Sequence, residues 1–436
     1  MKPKNNNRRL ALALVFVLFF LWALSSNLLP TMIRQLMNQC HLNTFEASFT
    51  ESAYWLAYFV CPIPIAMFLK RFSYKAGIIF GLCLAATGAF LFFPASEINI
   101  YGVYLAIFFV IATGMCFLET AANPYVTELG NPETAPRRLN LAQAINGLGA
   151  FIAAMFLSKA VLGSGRFSHV YLTLGGVLVL TAGIFVFTRL PKTADEMETM
   201  RRRQAARTSK TKVPHTKLID FSVLRIHHLR WGVIAQFFYN GGQTAINSLF
   251  LVYCCSYAGI DEATATTLFG IYMLFFLLGR WIGTALMGRF LPHNMLLVYA
   301  LANVLLCLVI AVFGGLAGVV CMMGVSFFMS IIYPTQFSLA LAGLDEQTKS
   351  GSAFLVMAIV GNAMIPQLTA FIMHKFPETY HIAYLVPLVC FLFCAYYGWK
   401  GYKRDDLEIC ENKRLKDWKI KKYESYSNQR SKDSCL

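Results

Sequence analysis

Charged side chains are scarce: Asp, Glu, Lys and Arg make up 14% of the 436 residues, where a soluble globular chain uses about 25%. That scarcity, with 57% hydrophobic residues and a mean hydropathy of +0.54, excludes a single soluble core. Acids are scarcer than bases, 22 against 38, and the formal net charge of +16 would suit nucleic acid if the bases were spread over a surface. They are confined instead to a few short segments, so no nucleic-acid partner is expected. The 12 Cys are scattered through apolar stretches without paired spacing, which excludes a disulfide framework and a metal cluster. No nucleophile–base array or metal-ligand spacing is present, so neither an enzyme nor a bound cofactor is expected. No filter-like repeat suggests a channel. The first apolar run, Leu10 to Leu29, follows Lys2, Lys4, Arg8 and Arg9 and ends at Asn27 and Pro30 without a small-residue cleavage pattern. It reads as a retained helix rather than a leader.

Apolar stretches long enough to cross a bilayer are what the chain does have. They fall at residues 10–33, 50–69, 76–95, 101–126, 139–162 and 168–188, and then at 231–256, 262–287, 295–314, 317–341, 351–374 and 379–400. The pattern predicts an all-α membrane protein of twelve transmembrane helices in two six-helix bundles. Residues 1–190 form the first bundle, 191–230 a cytoplasmic linker, 231–400 the second bundle and 401–436 a cytoplasmic tail. With the N-terminus inside, the cytoplasmic segments hold 33 of the 38 Lys and Arg; Arg34, Lys159, Arg166 and Lys375 lie outside and Arg280 within a helix. Both termini are therefore expected in the cytoplasm. The linker carries Arg201-Arg202-Arg203, and the tail has an amphipathic stretch at Leu415, Trp418 and Ile420 suited to anionic lipid. Lys70-Arg71-Phe72 after the second stretch echoes Arg289-Phe290 after the eighth. Weak symmetry between halves is a mark of rocking-bundle transporters, which bind substrate between the halves near the midplane. Nothing in the sequence demands more than a monomer.

The fourth stretch contains Phe117-Leu118-Glu119-Thr120-Ala121-Ala122-Asn123-Pro124. A carboxylate inside a membrane-spanning helix is expensive, which makes Glu119 a candidate for ligand binding and ion coupling. Asn123 stands four residues on and shares its face, while Pro124 leaves a carbonyl in the preceding turn unpaired. The fifth stretch adds Asn140, Gln143 and Asn146, the seventh Asn240, Gln243 and Asn247, and the eleventh Asn362. At about 1.5 Å per residue, Glu119 and Asn146 both lie roughly 12–15 Å from the inner end. Amides drawn from both halves suit a polyhydroxylated ligand, whose hydroxyls need donors and acceptors together; amides can also satisfy one another across helices. Tyr54, Trp55 and Trp22 could offer a flat face to a sugar ring. Arg280 is expected to pack or gate near Asp345 or Glu346.

These residues resemble the fucose:proton symporter family of the major facilitator superfamily. The likeness runs from Phe20-Leu21-Trp22-Ala23 to about Trp399. It includes Pro62-Ile63-Pro64, Ser73-Tyr74-Lys75-Ala76-Gly77, Leu118 to Pro124, Leu139-Asn140-Leu141-Ala142-Gln143, Gly242-Gln243-Thr244-Ala245 and Tyr333-Pro334-Thr335. The resemblance implies a multi-pass carrier of the bacterial inner membrane that imports L-fucose with a proton, with relatives that carry glucose, galactose or N-acetylglucosamine. It assigns sugar recognition and coupling to Glu119 and cavity-lining positions to Gln143 and Asn146. One position departs. Where the family has an aspartate late in its first span, this chain has Pro30, preceded by Leu29, and the span holds no acid. Coupling then rests on Glu119, or on a substitute such as Glu51 at the start of the second span, or transport is uncoupled. Glu51 also reads as a helix-start carboxylate or a partner of Arg34. A sodium-coupled carrier and a non-transporting sugar sensor are the rival readings.

Overall fold

The computed structural model describes residues 5–42, 44–157, 167–188, 190–193, 197 and 220–404. The Arg201-Arg202-Arg203 linker, Lys159, Arg166 and the amphipathic stretch of the tail lie outside the described residues. The first half contains α1 (Asn5–Ser26), α2 (Leu29–Gln39), α3 (Thr44–Val60), α4 (Pro62–Arg71), α5 (Tyr74–Ile98), α6 (Tyr101–Glu128), α7 (Ala135–Ile152) and α8 (Phe167–Phe187). The second contains α9 (His227–Val252), α10 (Glu262–Leu286), α11 (Pro292–Phe313), α12 (Gly315–Met329), α13 (Ile332–Leu341), α14 (Thr348–Met357), α15 (Gly361–Lys375) and α16 (Leu385–Tyr396). Helices start where the chain offers an acceptor for their free N–H groups. Ser73 accepts from the Ala76 amide at 3.1 Å before α5, and Asp261 from the Thr264 amide at 2.9 Å before α10.

Among the described residues, eight helical stretches are long and apolar enough to cross a membrane, and nine when the bent pair 49–71 counts as one. The fold is all-α and multi-pass. Several of the expected continuous spans are broken helices. Residues 10–33 part at Asn27–Leu28, where the Asn27 side-chain amide donates to Ala23 O at 2.9 Å and Pro30 sits in the first turn of α2. A proline restricts the residue before it and cannot donate, so the chain restarts there instead of continuing. Pro62 does the same at the α3–α4 joint, which bends by 43°. The stretch 317–341 breaks at Ser330–Ile331, ahead of Pro334.

In the first half, α5 packs on α6 and α8, α1 on α7, and α3 on α6. In the second, α9 packs on α13, α15 and α16, α11 on α12 and α16, and α10 on α12. Across the halves, α7 meets α10 and α13, while α14 meets α4 and α6. Small residues set the closest approaches, as expected where lipid supplies no hydrophobic drive between helices. A Cβ on Gly114 would stand 2.6 Å from Ala85 N and 2.7 Å from Gly81 O. Gly114→Val should therefore separate α5 from α6 and destabilise the protein by about 1–3 kcal/mol. Thermal unfolding of the purified variant checks this, and an unchanged midpoint would show that α5 and α6 do not depend on this close contact.

Candidate functional site

Glu119 lies on α6 with 4% of its surface exposed. A bare carboxylate in such a place is costly unless donors reach it. One donor crosses from the other half: the Tyr333 hydroxyl of α13 donates to Glu119 Oε1. Tyr58 of α3 lies near the same carboxylate. Tyr58 stacks on Tyr54 with ring centroids 5.6 Å apart and planes at 25°. The Tyr54 hydroxyl donates to Ser26 Oγ at 3.2 Å, so this aromatic pair joins α1 to the carboxylate.

One helical turn along, Asn123 is fully buried and its Oδ1 accepts from Gln143 Nε2 of α7 at 3.4 Å. Its Nδ2 has no partner, which leaves a donor available for a ligand. Two polar groups thus lie one turn apart on α6: Glu119 with Tyr333 and the Tyr54–Tyr58 pair, and Asn123 with Gln143.

The remaining amides are placed differently. Asn146 is half-buried and donates to Phe19 O at 3.1 Å, tying α7 to α1. Asn240 is buried and donates to Gln236 O of its own helix at 2.6 Å. Asn247 Oδ1 accepts from the Tyr272 hydroxyl at 2.5 Å, and Asn362 Oδ1 from Thr244 Oγ1 at 2.8 Å. Three of the amides thus spend at least one polar atom on helix packing. Gln243 is half-buried and makes no hydrogen bond among the described residues. Glu51 is exposed and accepts from Trp55 Nε1 at 3.3 Å, one turn along α3.

Arg280 bonds to main-chain carbonyls: its Nε donates to Ser330 O at 2.9 Å and its Nη1 to Gln143 O at 2.8 Å. Pro334 explains the first bond: it has no N–H to offer the carbonyl four residues back, so Ser330 O is free to accept elsewhere. The same holds at Pro124. It leaves Thr120 O unpaired within α6, and Ser352 Oγ of α14 donates to that oxygen at 3.0 Å. Asn140 Nδ2 adds a bond to Thr335 Oγ1 at 3.0 Å. Arg280, Ser352, Tyr333 and Thr335 did not stand out as partners in the sequence. Tyr333-Pro334-Thr335 was visible only as part of a family motif, and the freed carbonyl before each proline was the available signal.

Residues 12–366 match the Major Facilitator Superfamily. The L-fucose-proton symporter of Escherichia coli (strain K12) is 36% identical over 405 residues, covering 87% of this chain and 90% of its own length. The chain belongs to the fucose:proton symporter family of the major facilitator superfamily. The "Glucose/galactose transporter" of Brucella abortus (strain 2308) is 33% identical over 412 residues, covering 91% of this chain and 95% of its own. The crystal structure of FucP, a Major Facilitator Superfamily transporter in the outward conformation, superposes with a TM-score of 0.78 at 34% identity, covering 90% of this chain and 98% of that one. Membership identifies a membrane carrier, not an enzyme.

The contact from Tyr333 to Glu119 is open to a direct test. In infrared difference spectra, the carboxyl band removed by Glu119→Gln should shift in Tyr333→Phe, which keeps the ring and loses the donor. A band that stays in place would mean that the hydroxyl does not reach the carboxylate.

Proposed function

We propose that this protein imports a monosaccharide, L-fucose as the first candidate, by proton symport and alternating access. The carrying observation is the dry carboxylate of Glu119, held by a hydroxyl from across the interface between the halves. On this reading the polypeptide forms twelve membrane-spanning segments, each broken helix pair counting as one. Residues 1–190 form one bundle and 231–400 the other, joined by the 191–230 linker and followed by the 401–436 tail. The grouping of helix contacts within each half supports that division. The likeness to the Escherichia coli symporter supports a bacterial inner-membrane protein, and the clustering of Lys and Arg supports both termini being cytoplasmic. A monomer with membrane lipid around it suffices.

The sugar sits between Glu119, Asn123, Gln143 and the Tyr54–Tyr58 face, with Asn146, Asn240, Gln243, Asn247 and Asn362 as further polar positions. Bonds between the halves at Asn140–Thr335, Thr120–Ser352 and Gln143–Arg280 lie toward the basic ends of their helices. That placement supports a state closed on the cytoplasmic side, and the likeness to FucP in its outward conformation points the same way. Glu119 is the coupling group. Carrying a carboxylate through a closed, low-dielectric state is costly, and a proton from outside removes its charge before the halves rock. Glu51 is exposed and bonded to Trp55 on its own helix, with no partner from the other half among the described residues, so the coupling role is proposed for Glu119.

In membrane vesicles, an imposed inward proton gradient should drive accumulation of labelled L-fucose above equilibrium. Glu119→Gln should abolish accumulation while leaving exchange of sugar across the membrane. Full accumulation in that variant would remove Glu119 from coupling. Competition by galactose, glucose and N-acetylglucosamine for the same uptake ranks the sugars, since a site built to bond a hydroxyl rejects an analogue that lacks it.

A further inference from the structure

A second buried polar layer lies inside the second half, at the backbone end of Tyr333, with the tyrosine hydroxyl pointing the other way to Glu119. Gln236 of α9 donates through Nε2 to Tyr333 O at 3.4 Å, and its Oε1 has no partner. Gln336 of α13 is fully buried with neither amide atom bonded. Tyr397, in the π-helical turn Tyr397–Gly401 that follows α16, is fully buried with a free hydroxyl.

These groups are neighbours. A Cβ on Gly232 would meet Ala340 Cβ at 2.5 Å and the Tyr397 hydroxyl at 3.3 Å. Gln236 is one turn beyond Gly232 and Gln336 one turn before Ala340, so on antiparallel α9 and α13 the two amides face the same next layer. Cys394, nearly one turn from Tyr397, ties α16 to α9 beside Gln236: its thiol donates to Cys390 O at 3.4 Å and reaches Ala235 O at 3.8 Å.

Four polar atoms in two adjacent layers between three helices therefore lack partners: Gln236 Oε1, Gln336 Oε1, Gln336 Nε2 and the Tyr397 hydroxyl. None carries a formal charge, and the set mixes acceptors with donors. A metal ion would want carboxylates or several aligned carbonyls, and an apolar ligand would leave the amides unpaired. Water both donates and accepts, and a buried water makes about three hydrogen bonds to otherwise unmatched groups. We propose that Gln236, Gln336 and Tyr397 form an internal water-binding site that joins α9, α13 and the end of α16. The site stands on the packing of the second half alone, so it holds whichever sugar is carried.

Hydroxyl-radical labelling of the full-length protein in nanodiscs tests it. The sample is mixed into heavy-oxygen water, held for exchange and exposed to a short X-ray pulse; mass spectrometry then reads the label. Radicals born at a bound water mark the side chains beside it. Tyr397 should take up heavy oxygen despite its burial, while Tyr384, whose hydroxyl rests against Met322 Sδ at 3.7 Å, should stay at background. Gln336→Leu should bring Tyr397 down to the Tyr384 level, and Gln336→Asn should retain label. Should the leucine variant fail to fold, Gln336→Met reads the same loss with a more adaptable side chain. An unlabelled Tyr397 in the wild type, or labelling that persists in the folded Leu or Met variant, overturns the proposal.

Discussion

A carboxylate kept out of water inside a membrane protein requires donors, and the requirement at Glu119 is met in part from the other half of the chain. Burial makes an unpaired carboxylate costly, whereas the Tyr333 hydroxyl offsets part of that cost. The balance between these opposing demands depends on whether α13 remains against α6. Any movement that separates the two halves removes Tyr333 from the carboxylate and exposes the site to new partners. In the proposed mechanism, protonation of Glu119 and the relative position of the halves are linked through this contact, and the linkage is reciprocal.

Two prolines prepare the rest of the interface. In an uninterrupted helix every interior carbonyl is taken by the amide four residues on, so helices in lipid have few main-chain groups to share. Pro124 and Pro334 each release one. Thr120 O then receives Ser352, and Ser330 O receives Arg280. Arg280 also reaches Gln143 O, placing a cation between the main chains of α7 and the α12–α13 break. Its guanidinium lies over the Phe276 ring, 4.4 Å from the centroid, which shields the charge from lipid without neutralising it. The bonds made are few and directional, as suits an interface that must open: each has a hydrated alternative once the halves part, whereas a large apolar contact would resist separation.

Much of this was legible in the sequence, for stated reasons. Hydropathy and the placement of Lys and Arg mark the membrane segments, and the spacing of Glu119 and Asn123 puts both on one face. The comparable depths read for Glu119 and Asn146 put the two helices in register, and the structure then pairs Asn123 with Gln143. Three kinds of feature were not legible. Hydropathy averages over a window and does not register a break, so the joints at Asn27–Leu28 and Ser330–Ile331 were read as continuous. An amide looks the same whether it faces a ligand or a neighbouring carbonyl, and Asn146 and Asn240 turn out to donate to Phe19 O and Gln236 O. Partners more than a hundred residues away, such as Tyr333 for Glu119 and Gln143 O for Arg280, are set by tertiary packing that no local pattern contains.

The first span explains why so much falls on one carboxylate. Where the family resemblance implies an aspartate, this chain turns from α1 into α2, and Pro30 occupies the first turn of the new helix. A carboxylate there would stand beside main-chain N–H groups at a helix start, a setting that favours its charged form at modest cost. Without it, the proposed site has a single acid that must bind sugar and carry the proton. With two acids the tasks can be divided, and either ligand can leave first. With one acid, the sugar hydroxyl and the proton compete for, or share, the same oxygens, so the order of release is constrained by Glu119 itself. Tyr333 is then more than a spectator: when α13 moves away, the carboxylate loses a donor that stabilised its charge at the moment it must either keep its proton or find water.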